Sequence, residues 1–192
     1  RNDQYETQPA EVERRARGGD ERTRRGLQPA LLERPQGGRR RGRGQAEVPP
    51  VALVTRSGLL ERDLPVLAGS EVPPLVLTCA AAAPGARARL GGAAEVLDCS
   101  GADPGQVDLA VALRLLSGRG LNRVLTEGGP SLLGTFLESG LLDELCLTTA
   151  PLLVGGGAVR VAAGSAEAPT PMRRAHLLTD DDGYLYARYI SV

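Results

Sequence analysis

From residue 48 onward, short apolar runs alternate with stretches whose apolar residues recur at helical spacing. Pro49-Pro50 delivers Val51-Ala52-Leu53-Val54-Thr55, and Pro73-Pro74 delivers Leu75-Val76-Leu77-Thr78-Cys79. Both are short, continuously apolar runs that fit buried strands. Residues 94–98 predict a third strand. Asp103 followed by Pro104 has the form of a helix cap with proline in the first turn, and this helix would carry Val107, Ala110, Val111 and Leu113 and stop at Gly118. A strand is predicted over 122–126, then a helix opening at Pro130 with Leu132, Leu133, Phe136 and Leu137 on one face and ending at Gly140. Residues 144–149 predict another strand. Residues 175–178 and 184–190 flank Thr179-Asp180-Asp181-Asp182-Gly183, where Asp-Gly between two strand-like runs signals a hairpin. The pattern predicts an α/β fold: a mixed, mostly parallel central sheet flanked by helices, with a C-terminal antiparallel hairpin.

Residues 1–48 break this rhythm. They are dense in Arg, Glu, Gly and Gln, with basic clusters at Arg14-Arg15, Arg24-Arg25 and Arg39-Arg40-Arg41 among interleaved acids. Such a stretch has little to bury and reads as a poorly ordered segment. The expected organisation is therefore this segment followed by one domain over 49–192. The interleaved acids and lack of aromatic residues argue against a nucleic-acid arm.

Composition adds three constraints. The 23 basic residues are all arginine and balance 23 acids, so no net charge draws the chain to nucleic acid or membrane. No apolar run approaches the length of a membrane span and no leader-like segment opens the chain, so a cytoplasmic location is expected. Cys79, Cys99 and Cys146 are odd in number and set in apolar runs, which predicts buried, reduced thiols. With His176 the only histidine, and that in a predicted strand, no metal site is expected.

The chemistry concentrates where predicted strands end. At 126–130 a strand gives way through Glu127-Gly128-Gly129 to a helix opening at Pro130. Two glycines there remove the Cβ atoms that would hold a phosphate away from the backbone, and the helix start offers unpaired N–H groups. A tight turn uses glycine equally well for geometry alone. The loop is neither G-x-G-x-x-G nor a P-loop. Thr55-Arg56-Ser57-Gly58 follows the first strand, and its hydroxyls and guanidinium suit a phosphate monoester or simply form a surface turn. Leu153-Val154-Gly155-Gly156-Gly157 is a further glycine-rich turn.

Val124-Leu125-Thr126-Glu127-Gly128-Gly129-Pro130-Ser131-Leu132-Leu133, then Gly140-Leu141-Leu142-Asp143-Glu144-Leu145, then Ala150-Pro151-Leu152-Leu153-Val154-Gly155-Gly156-Gly157, resembles the C-terminal reductase domain of the bifunctional riboflavin-biosynthesis deaminase/reductase. The resemblance implies a dihydrofolate-reductase-like fold and NADPH as cofactor. It implies an oxidoreductase that reduces the ribosyl group of 5-amino-6-(5-phosphoribosylamino)uracil, a phosphorylated pyrimidine, to ribityl, and a homodimer. It places Thr55, Arg56 and Ser57 at the 2′-phosphate of NADPH. It places Glu127, Gly128, Gly129, Pro130 and Ser131 on the cofactor, with Glu127 also facing the catalytic cleft. The family's N-terminal Ser-x-Asp-Gly and Gly-x-x-Thr motifs do not occur here, so the expectation is a chain truncated at its N-terminus. Its substrate site is then less complete than its cofactor site. A non-catalytic nucleotide-binding or dimerisation remnant of the same fold, or a reductase of another small substrate such as a dihydropterin, are the alternative readings.

Overall fold

The structure is a computed structural model, and it describes residues 40–44, 47–157, 160–164 and 169–192. The chain divides into two units between Val48 and Pro49. In the first, residues 40–44 form a helical turn, and Arg41 pairs with Glu47 at 2.7 Å.

The second unit holds two three-stranded sheets. Strands β1 (Ala52–Val54), β2 (Leu75–Thr78) and β3 (Glu95–Asp98) are parallel, in that order, with Leu53 opposite Val76 and Val76 opposite Val96. Helices α1 (Pro65–Ala68), α2 (Ala83–Leu90) and α3 (Leu109–Ser117) serve this sheet. The alternation of strand side chains divides the packing. Val76 and Val96 meet Ala83, Ala86 and Leu90 of α2 on one face. Leu75, Leu77 and Leu97 meet Ala112 and Leu116 of α3 on the other. Each buried Val or Leu side chain among these contributes about 1.5–3 kcal/mol.

Helix α4 (Pro130–Glu138) leads to the antiparallel sheet of β4 (Glu144–Thr149), β5 (Met172–Thr179) and β6 (Leu185–Ser191), ordered β4-β6-β5. Phe136 packs with Leu109 and Leu142, and Leu145 and Met172 lie against this cluster. Helix α3 thus links the two sheets: Val107, just before it, and Leu113, within it, pack against the clusters on both sides.

The α/β class, the parallel strands and the closing hairpin match the sequence pattern, though the ladders form two sheets. Several details differ. Among the described residues, 122–126 join no ladder, with Leu125 82% exposed, and the three-residue β1 pairs only with β2. Helix α3 starts at Leu109 rather than after Asp103, because Asp108 is its cap and accepts from Ala110 N (2.8 Å) and Val111 N (3.1 Å). Asp103 instead turns back on Gly105 N at 2.8 Å. Helix α2 has no counterpart in the pattern. Cys79 and Cys99 are buried as expected, but Cys146 is exposed, because β4 alternates and this residue faces away from α4.

Candidate functional site

In a parallel sheet the loops after the strands share one edge, which is where ligands of such folds bind. Three of these loops are tied together. Thr55 N continues the ladder onto Leu77 O (3.0 Å), and Thr55 Oγ1 accepts from Gly58 N at 3.2 Å. Ser57 Oγ accepts from Leu59 N at 3.3 Å. Gly58 adopts φ +63°, and a side chain there would press on Ala86 and Ala82, so the turn needs glycine both for its backbone and for its closeness to α2. Arg89 clamps it by donating to Gly58 O at 2.9 Å, and the Cys79 thiol donates to Arg56 O. The Arg56 side chain itself is exposed.

The loops after β2 and β3 are joined by Ala80 N donating to Ser100 Oγ at 2.7 Å and Ala81 N to Pro104 O at 3.0 Å. Asp98 accepts from Ser100 N at 2.9 Å. Gly101 lies so close to the Asp108 carboxylate that a Cβ would approach Oδ2 to 2.5 Å. Cys99 is buried in this region; its thiol is pushed up to about 11, by burial first and the Asp98 charge second. Ser100 does not stand out in the sequence, because its role is a contact between loops.

At the start of α4 the geometry is of a different kind. Gly128 has no room for a Cβ, which would overlap Leu132, whereas Gly129 faces open space. Gly129 is the helix cap, with extended backbone (φ −68°, ψ 179°), and no side chain caps the helix. Leu132 N and Leu133 N both turn back to Gly129 O, at 3.0 and 3.2 Å. Among the described residues no acceptor reaches Ser131 N. Pro130 occupies the first helical position, where it gives up no hydrogen bond. Glu127 is exposed. Thr135 in α4 and Ser139 just after it border an open cavity of about 440 Å³ that Gly101, Asp103, Gln106 and Asp108 also line. The turns at Thr55–Ser57 and at Glu127–Ser131 are both exposed loops next to strand or helix ends, but among the described residues no hydrogen bond or ion pair links one to the other.

Residues 155–157 form an exposed turn, and a Cβ at any of the three glycines would meet open space. Among the described residues no group of three or more His, Cys, Asp or Glu is placed to hold a metal ion, and no helix is long and apolar enough to cross a membrane.

The family model for the RibD C-terminal domain matches residues 18–186, beginning inside the arginine-rich segment. Over 51 residues the chain is 43% identical to the 2,5-diamino-6-ribosylamino-4(3H)-pyrimidinone 5′-phosphate reductase of Methanothermobacter thermautotrophicus, a stretch that is 27% of this chain and 24% of that protein. Over 54 residues it is 41% identical to the riboflavin biosynthesis protein RibD of Escherichia coli, covering 28% of this chain and 15% of that one. The chain thus spans a small part of either relative. Among solved structures, a pyrimidine reductase-like protein of Corynebacterium diphtheriae superposes with a TM-score of 0.70 at 24% identity, over 88% of this chain and 72% of that one. RibD of Acinetobacter baumannii superposes at 0.60 and 22% identity, over 75% and 38%. At these identities the structural likenesses speak for the fold.

Proposed function

The chain belongs to the RibD C-terminal domain family, and from that premise we propose that it is an NADPH-dependent reductase of riboflavin biosynthesis acting on 5-amino-6-(5-phosphoribosylamino)uracil. The observation that carries this reading is the start of α4. Gly129 leaves the approach open, and Ser131 N lies at a helix terminus that no side chain caps, with no acceptor among the described residues. A dinucleotide pyrophosphate is the group such a terminus suits, so the residues fit the cofactor.

Gly128, Gly129, Pro130 and Ser131 hold the pyrophosphate in this proposal. Thr55, Arg56 and Ser57 hold the 2′-phosphate, for which an exposed guanidinium on a rigid turn is suited. The cavity bordered by Thr135 and Ser139 lies farther along the same helix and has room for a nucleotide base. When bound, the nicotinamide supplies the hydride that reduces C1′ of the opened ribosyl group. The protein orients the two molecules, and Glu127 lines the cleft as a carboxylate that positions the substrate's polar groups. The enzyme acts in the cytoplasm as a homodimer.

The test is NADPH oxidation by the purified chain with the deaminated and the non-deaminated phosphoribosylaminopyrimidine. Turnover of the deaminated substrate supports the proposal. Turnover of the non-deaminated one only would move the assignment to the reaction named for the archaeal relative. Nucleotide binding with no turnover of either would favour a non-catalytic remnant of the fold.

A further inference from the structure

Gly134 lies in the interior of α4 and is buried. Glycine is a poor choice inside a helix, so its place here calls for a reason, and packing supplies one. A Cβ at Gly134 would run into the carbonyl of Ala163, and a Cβ at Gly164 would run into the Glu138 carboxylate. Ala163 therefore lies backbone against backbone on α4, and Gly164 lies against the Glu138 side chain. The contact is bonded as well as close: Ala163 N donates to Pro130 O at 2.9 Å.

Pro130 O is the first carbonyl of the helix, the one that the helical pattern offers to the N–H of residue 134. Ala163 takes its second lone pair. The peptide unit that carries this carbonyl also carries Ser131 N–H, and the unit is planar. A second hydrogen bond at the carbonyl end fixes the direction of the N–H and strengthens it as a donor. That N–H is the one for which the described residues offer no acceptor.

We propose that residues 160–164 form a positioning strap for the first turn of α4, and that Gly134 is the positioning residue that lets the strap approach. The proposal rests on the reading above, that Ser131 N–H faces the cofactor's pyrophosphate. Two variants of the full chain test it by different means. Gly134→Ala pushes the strap away, and Ala163→Pro removes the donated hydrogen bond while leaving α4 unaltered. Gly92→Ala, at a glycine facing open space, serves as control.

Two readouts are needed. In ligand-free protein, amide exchange at Leu132 and Leu133 should quicken about 10-fold in both variants, with Ala112 and Leu116 of α3 unchanged. In the reductase assay, KM for NADPH should rise about 3- to 10-fold while kcat and the pyrimidine KM hold, as expected for one lost hydrogen bond acting on a single ligand. Should one variant fail to fold, the other carries the test. Parent-like exchange at Leu132 and Leu133 would overturn the strap, and so would faster exchange with an unchanged NADPH KM. Failure of the parent chain to bind NADPH would instead sink the proposed function, leaving the strap to be decided by exchange alone.

Discussion

Ser100 accepts the backbone N–H of Ala80 at 2.7 Å, so its hydroxyl joins the loop after β3 to the loop after β2, beside the backbone bond from Ala81 N to Pro104 O. Removing it strands a partly buried amide without a partner. Ser100→Ala is expected to cost about 1–3 kcal/mol in urea denaturation with little change in the slope of the transition. Asp108→Ala, which removes the cap of α3, should cost a comparable amount, about 0.5–2 kcal/mol.

Arg56 is exposed, and its turn is held by the Thr55 and Ser57 hydroxyls, the Cys79 thiol and Arg89 rather than by its own guanidinium. Arg56→Ala should leave stability within about 0.5 kcal/mol of the parent. If the side chain grips the 2′-phosphate, the same variant weakens NADPH by about 10-fold and leaves NADH unchanged. Equal affinities for the two nucleotides in the parent, unaltered by the substitution, would remove these three residues from the site. Glu127→Gln keeps the shape and removes the charge, and should lower kcat with little change in the melting temperature, since Glu127 is exposed.

The thiols divide by exposure. Cys146 should react with an aromatic disulfide reagent in the native protein, and Cys79 and Cys99 only on unfolding. Burial and the neighbouring Glu144 carboxylate hold the Cys146 thiol above its ordinary range, so its reaction should quicken as pH rises through and beyond 9. Rapid native-state modification of three thiols would contradict the burial of Cys79 and Cys99.

The hairpin has a pH window of its own. Tyr186 donates to Asp180 at 2.7 Å, which lowers the carboxyl below its ordinary range and raises the phenol above its own. The depressed carboxyl gives stability that is complete above the ordinary carboxylate value and disappears as pH falls through its lowered one. The raised phenol gives stability that is complete below its ordinary value near 10 and disappears as pH rises through its raised one. Tyrosine resonances of the turn should therefore hold steady between these limits and shift outside them. In Tyr186→Phe the Asp180 titration should move back toward ordinary carboxylates.

What could be read from sequence was local. Proline pairs before apolar runs marked β1 and β2, and Asp-Gly marked the hairpin, because turn and strand preferences are properties of neighbouring residues. Pro130 marked the start of α4 for the same reason. The start of α3 was misplaced because Asp103-Pro104 and Asp108 both satisfy the chemistry of a cap, and tertiary bonds to Ala81 and Cys99 decide between them. Helix α2 was silent because an Ala-, Gly- and Arg-rich stretch has no apolar stripe to contrast with a polar one. Residues 122–126 have the composition of a strand, but strandhood depends on a partner elsewhere in the chain. At the site, the glycines of the two loops were legible, whereas Ser100 and Gly134 act through residues distant in sequence.

Helix α3 has a mechanical consequence. Among the described residues the two sheets share no ladder, so their coupling runs through side chains such as Leu113, which packs toward both. Heating should melt both sheets in one transition, although hydrogen bonding alone would let them part. A cut at this hinge of packing, such as Leu113→Ala, would divide that transition into two, turning a single cooperative body into a pair of loosely tethered ones.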